Sequence, residues 1–198
     1  MKIIGITGGV GSGKSEIIHI LEADYDAIII EADKVAHELM KLNTETYLEI
    51  VEVFGNDILD DSQQIDRKKL GNFVFEHQEY IPILNNIIHP RVQEYILKQI
   101  VLERKKANAE LFVIEAALLI EAGYKDICDE LWYIYVEKEI RINRLNLSRG
   151  YSRDKSEAIM QSQKDDEYYR DNSDYVIDNS GDIGRTRKSI DCILKNRE

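Results

Sequence analysis

Short apolar runs alternate with longer mixed segments along the 198-residue chain. "KIIGIT" (2–7), "AIII" (27–30), "LFVIE" (111–115), "LWYIYV" (131–136) and "DYVID" (174–178) are continuous apolar or β-branched runs bounded by Gly, Asp or Glu. Such runs mark strands buried on both faces, as in parallel sheets. Between them the apolar spacing lengthens to a helical period. The spacing predicts helices from Lys14 to about Asp24, over "EADKVAHELM" (31–40), from Thr44 to about Phe54 and over "RKKLGNFVF" (67–75). Further helices are predicted from about Tyr80 to Lys106, through the charged stretch 137–170, and from about Asp182 to Leu194. Pro82 suits a first turn, whereas Pro90 should kink or divide its long helix. "GNDILDDSQQID" (55–66) reads as a polar connection.

Strands alternating with helices predict an α/β chain with a parallel five-stranded sheet covered by helices on both faces. In such sheets ligands sit at the carboxyl ends of the strands. The residues just after positions 7, 31, 115, 136 and 178 are therefore the ones to inspect. Length and 43% hydrophobic content fit one core, with no Pro-rich or Gly/Ser-rich linker. A single domain over 1–198 is expected.

"TGGVGSGKS" (7–15) stands after the first of these strands. Gly8 and Gly13-Lys14-Ser15 complete the pattern G-x-x-x-x-G-K-[ST] at a strand-to-helix junction. Glycines let the loop curl so that its N–H groups face phosphate oxygens. The helix that opens there adds its N-terminal dipole. Gly8, Gly9, Val10, Gly11, Ser12, Gly13, Lys14, Ser15 and Glu16 are thus the candidate ATP-binding residues. Lys14 would reach the β- and γ-phosphates, the Ser15 hydroxyl would ligate Mg²⁺, and the Glu16 N–H could serve the α-phosphate.

Charge changes the picture next. The net charge of −11 argues against a general nucleic-acid binder and makes clustered cations informative. Arg141 and Arg144 are three apart on a predicted helix and share a face. With Arg149 they could form a cationic lid over the γ-phosphate that also keeps water out. The competing reading is a solvated helix salt-bridged to Glu137, Glu139 and Glu157. Asp33 follows the second strand, where a carboxylate can orient an attacking hydroxyl and take its proton. A first-turn Asp of structural role is the alternative, and Glu31 competes for the same job. Glu115 ends the third strand and is a tentative Mg²⁺ ligand. His89 is either a structural residue beside Pro90 or part of a site. Asn179 either makes a turn or borders the adenine.

Cys128 and Cys192 lie far apart, and neither pairs with His at metal-ligand spacing. No apolar run approaches the roughly 18 residues of a membrane helix. These features lead us to expect a cytoplasmic protein whose partners are small molecules, with no nucleic acid, membrane or obligate protein partner.

"ITGGVGSGKS", "EADKVAHEL", "DRKKLGNFVF", "IIHPRV", "LLIEAGY", "RINRLNLSRGYS" and "DYVIDNSGD" follow one another at intervals that resemble the dephospho-CoA kinase family. The resemblance spans nearly the whole chain. It implies a P-loop kinase-type three-layer fold, with a helical acceptor region about 58–106 and a lid about 138–170. It also implies transfer of the γ-phosphate of ATP to the ribose 3′-hydroxyl of dephospho-CoA. In that resemblance Asp33 orients or deprotonates the hydroxyl, Arg141 and Arg144 are lid cations, and His89 lines the acceptor side. The chain departs from the family's common residues at Glu16, Glu31, Ala116-Ala117 and Ile159. A nucleoside or nucleotide kinase, or a nucleotide-switched regulatory protein, would share the glycine loop. The latter fits less well, because no Asn-Lys-x-Asp pattern for reading guanine is present.

Overall fold

The computed structural model describes residues 1–195, which divide into two compact units. The first unit comprises residues 1–30 together with the chain from Glu103 onward. It holds the strands β1 (Lys2–Thr7), β2 (Ile28–Glu31, whose last residue opens the other unit), β3 (Leu111–Glu115), β4 (Glu130–Tyr135) and β5 (Tyr175–Asp178). They form one five-stranded sheet in the order β2-β3-β1-β4-β5. β1 pairs in parallel with β3 and β4, and β4 pairs in parallel with β5. The register sets Ile6 beside Glu115 and Tyr135 beside Asp178, so the carboxyl ends of the strands gather on one side.

Alternation along the strands sends every second side chain to the same face. Ile4 and Ile6, Leu111 and Val113, and Trp132 and Ile134 all join one cluster with Ile17, Ile20 and Leu21 of α1 (Lys14–Tyr25). Ile190 of α9 (Ile183–Lys195) closes that cluster. Trp132 is fully buried there; at roughly 25 cal/mol per Å² of apolar surface, such a side chain is a large hydrophobic contribution. The charged stretch after β4 forms α6 (Lys138–Arg149), α7 (Arg153–Gln161) and α8 (Asp166–Asp171). Gly150 ends α6 in the left-handed region, with φ +64°, as its turn position leads one to expect. Ser152 and Asp165 cap α7 and α8 through the N–H groups of Lys155 and Tyr168.

The second unit runs from Glu31 to Leu102. It contains α2 (Ala32–Leu39), α3 (Glu45–Phe54), α4 (Arg67–Glu76) and most of α5 (Ile81–Lys106). Tyr47, Ile50, Phe54, Ile58, Leu70 and Ile87 make its core. The polar connection 55–66 includes a short 3-10 turn, and Leu59 bridges Ile65.

Of the two outcomes expected at Pro90, a kink or a division, division does not occur: α5 runs unbroken from Ile81 to Lys106. A proline here removes one N–H and leaves the carbonyl of residue 86 without its helical donor. Asn86 is exposed, so water can satisfy that carbonyl. The Arg91 guanidinium also donates to Ile87 O at 2.7 Å, one residue further on.

Candidate active site

The glycine loop links β1 to α1. Gly11 and Gly13 have φ of +78° and +83°, which L side chains rarely adopt. At Gly13 the space is closed as well: a Cβ would lie 2.5 Å from Asn179 Nδ2. Ser12 N–H donates to Gly9 O at 3.1 Å, which tightens the curl. Lys14 Nζ donates to Gly8 O at 2.9 Å and lies 3.6 Å from Glu115 Oε1. The loop lysine is therefore held across its own loop, beside a buried carboxylate at the end of β3.

Both arginines predicted to share a face of α6 reach this loop. Arg141 donates through Nε to Val10 O at 3.0 Å and through Nη2 to Gln163 Oε1 at 3.2 Å. Arg144 donates through Nη2 to Asn179 O at 2.9 Å, and its Nη1 lies 3.5 Å from Ser12 O. The expected salt bridges of this region fall on other cations. Glu139 pairs bidentately with Arg153, and Glu157 pairs with Lys138 and Arg153. Arg149 is exposed near the ring of Tyr151. Thus acidic neighbours hold α6 to α7, while Arg141 and Arg144 face the loop.

Asn179 is almost wholly buried and braces the loop from β5. Its Nδ2 donates to Ser12 O at 3.0 Å, and its Oδ1 accepts from Thr186 Oγ1 at 3.1 Å. Two other residues escaped the sequence reading, Thr186 and Gln163. Gln163 Oε1 accepts from Val10 N–H at 3.0 Å. Neither belongs to a recognisable motif; only the fold brings them to the loop.

Ser15 and Glu16 are exposed at the start of α1. Among the described residues, no group of three or more His, Cys, Asp or Glu could hold a metal ion. Mg²⁺ in phosphate sites takes most of its ligands from phosphate and water and needs only one or two from protein. The Ser15 hydroxyl and the Glu115 carboxylate, both oxygen donors beside the phosphate loop, fit that requirement. Thr7 Oγ1 and Ser12 Oγ are buried without a hydrogen-bond partner at the same loop.

Asp33, Glu31 and His89 belong to the other unit. Asp33 is exposed in the first turn of α2, directly after β2. Glu31 accepts from Lys34 Nζ at 2.6 Å. His89 is half-buried in α5, and burial lowers its pKa below the usual 6.5. His37 is lowered too, by burial first and by Arg67 second.

The family model described as dephospho-CoA kinase matches residues 2–185. A dephospho-CoA kinase of Carboxydothermus hydrogenoformans is 38% identical over 195 residues, covering 98% of this chain and 94% of the relative. The solved dephospho-CoA kinase of Campylobacter jejuni is 31% identical with a TM-score of 0.72, each chain covered in full. TT1252 of Thermus thermophilus, at 24% identity, has a TM-score of 0.84 over 100% of this chain and 98% of its own, a likeness of fold.

Proposed function

The chain belongs to the dephospho-CoA kinase family, and on that premise we propose how its residues carry the reaction. ATP donates its γ-phosphate to the ribose 3′-hydroxyl of dephospho-CoA, giving coenzyme A and ADP. A bond forms between the 3′-oxygen and the γ-phosphorus as the bond to the β–γ bridging oxygen breaks. The proton of the hydroxyl passes to a carboxylate, for which we assign Asp33. Its support is an exposed place in the first turn after β2, together with the match of "EADKVAHEL" to the family.

The observation that carries the phosphoryl-transfer reading is the convergence of Lys14, Arg141 and Arg144 on one glycine loop. Phosphoryl transfer spreads negative charge over equatorial oxygens, so catalysis is mostly positioning and charge stabilisation. The loop N–H groups not already bonded within the protein, as those of Val10, Ser12 and Glu16 are, bind the phosphates together with the Lys14 ammonium. Arg141 and Arg144 are assigned to the charge that develops on the γ-phosphoryl group. Asn179 serves ATP indirectly, by holding Ser12 and thereby the loop's curl. Ser15 and Glu115 would hold Mg²⁺, which neutralises phosphate charge when bound. We assign the 31–102 unit to the acceptor, with His89 on that side, and α6 to α8 to the lid. The reaction is placed in the cytoplasm, where ATP is supplied; the free thiols of Cys128 and Cys192 fit a reducing compartment.

An acceptor panel tests this reading. The protein is incubated with ATP, Mg²⁺ and dephospho-CoA, adenosine or AMP in parallel. ADP release should depend on dephospho-CoA. Equal release with every acceptor, or with none, would sink the assignment.

A further inference from the structure

Gln163 stands in the turn between α7 and α8. Its one amide oxygen accepts from a donor of the glycine loop, Val10 N–H at 3.0 Å, and from Arg141 Nη2 at 3.2 Å. Arg141 is also tied through Nε to Val10 O. The three residues close a small ring of hydrogen bonds at the tip of the loop. The ring packs against Gly9, where a Cβ would collide with the Arg141 guanidinium and meet Gln163 Oε1 at 3.0 Å.

The turn that carries Gln163 is itself anchored. Tyr133, buried in β4, donates to Asp166 Oδ1 at 2.5 Å, and its ring stacks on Tyr169 at 5.0 Å between centroids. Burial and then Asp166 push the Tyr133 phenol far above its ordinary pKa, so it remains a donor. Arg170 lies 4.6 Å over the ring of Tyr135, a second link from α8 to the same strand. The sheet therefore fixes α8, α8 fixes the turn, and the turn presents one oxygen to Arg141.

We propose that Gln163 is a positioning residue for phosphoryl transfer, setting the Arg141 guanidinium against the tip of the glycine loop. The proposal rests on the assignment of Arg141 to the γ-phosphoryl charge. An arginine side chain has several rotatable bonds, and its value at a transition state depends on being held in place beforehand. Two of its nitrogens are held here, by Val10 O and by Gln163. The chemistry of the holder matters as well. An amide oxygen orients a guanidinium without cancelling its charge, whereas a carboxylate would form an ion pair and oppose phosphate. A neutral glutamine meets that need in a chain with 37 acidic residues.

A double-mutant cycle with Gln163→Met and Arg141→Ala tests the coupling. Met keeps the bulk and removes the acceptor. Gln163→Met should lower kcat about 10-fold or more, while the Kd for ATP, titrated without acceptor, stays within about 3-fold of wild type. In the Arg141→Ala background the same change should cost less than about 2-fold, because the guanidinium that Gln163 positions is gone and only its bond to Val10 N–H remains. The thermal midpoint of the single variant should stay within about 3 °C of wild type. Gln163→Ala, which leaves no side chain to misplace, replaces Met should that variant misfold. Unchanged kcat in Gln163→Met, or an equal loss in both backgrounds, overturns the proposal. Full activity in Arg141→Ala alone would instead remove Arg141 from the mechanism, and the proposal with it.

Discussion

Gly13 combines two constraints at a single residue. Its φ of +83° lies in the left-handed region, and a Cβ would meet the side-chain amide of Asn179 at 2.5 Å. Gly13→Ala should therefore cost about 1–3 kcal/mol in strain and weaken ATP binding, read by denaturant unfolding and by titration with ATP. A variant as stable as wild type would show that the loop relaxes freely. Asp33 presents the opposite case, an exposed side chain whose place in α2 demands little of it. Asp33→Asn should leave the fold and ATP affinity intact and lower turnover by about 100-fold or more, within the range of general-base contributions. Near-normal turnover would take Asp33 out of the mechanism.

The elements supply what single residues cannot. β5 ends at Asp178, and Asn179 then turns inward to Ser12 while Thr186 of α9 holds its other end. Asn179→Ala would leave the buried Thr186 hydroxyl without its acceptor and the Ser12 carbonyl with only the long contact to Arg144 Nη1. The expected loss is about 1–3 kcal/mol of stability, with weaker ATP binding, measured by urea unfolding and by titration. A loss of stability with unchanged ATP affinity would separate Asn179 from the loop's function. This level also shows what the sequence could convey. All five strands announced themselves as apolar runs, because burial on both faces leaves little choice of residue. The α6 face was legible too, since Arg141 and Arg144 obey a local spacing. Gln163 was not, because its partner Val10 lies 153 residues away in the chain and no local pattern encodes such a meeting. Division of the helix at Pro90 was a wrong expectation for a related reason. The local rule for proline breaks helices, but Asn86 is exposed, so water can replace the lost donor and α5 continues.

At the scale of the whole molecule, the acidic chain gathers Lys14, Arg141 and Arg144 at one glycine loop, where Glu115 lies beside Lys14. That clustering reconciles a net charge of −11 with a polyphosphate substrate. Stability should carry its own pH dependence. Burial lowers the pKa of His89 from 6.5, so the folded state prefers the neutral imidazole. A lowered histidine value gives stability that is complete above the unfolded pKa and declines as pH falls below it. The difference in unfolding free energy between wild type and His89→Gln should thus be constant above about pH 7 and shift in favour of the variant below about pH 6. A difference that is flat across that span would mean that His89 titrates as freely as in the unfolded chain.

The destination of the phosphate is the claim on which the rest depends. Phosphorus NMR of a reaction run to completion with ATP, Mg²⁺ and dephospho-CoA decides it directly. The account predicts one new 3′-phosphomonoester on the acceptor for each ADP formed, with no free phosphate beyond background. ADP accompanied by equal inorganic phosphate and unchanged dephospho-CoA would contradict it.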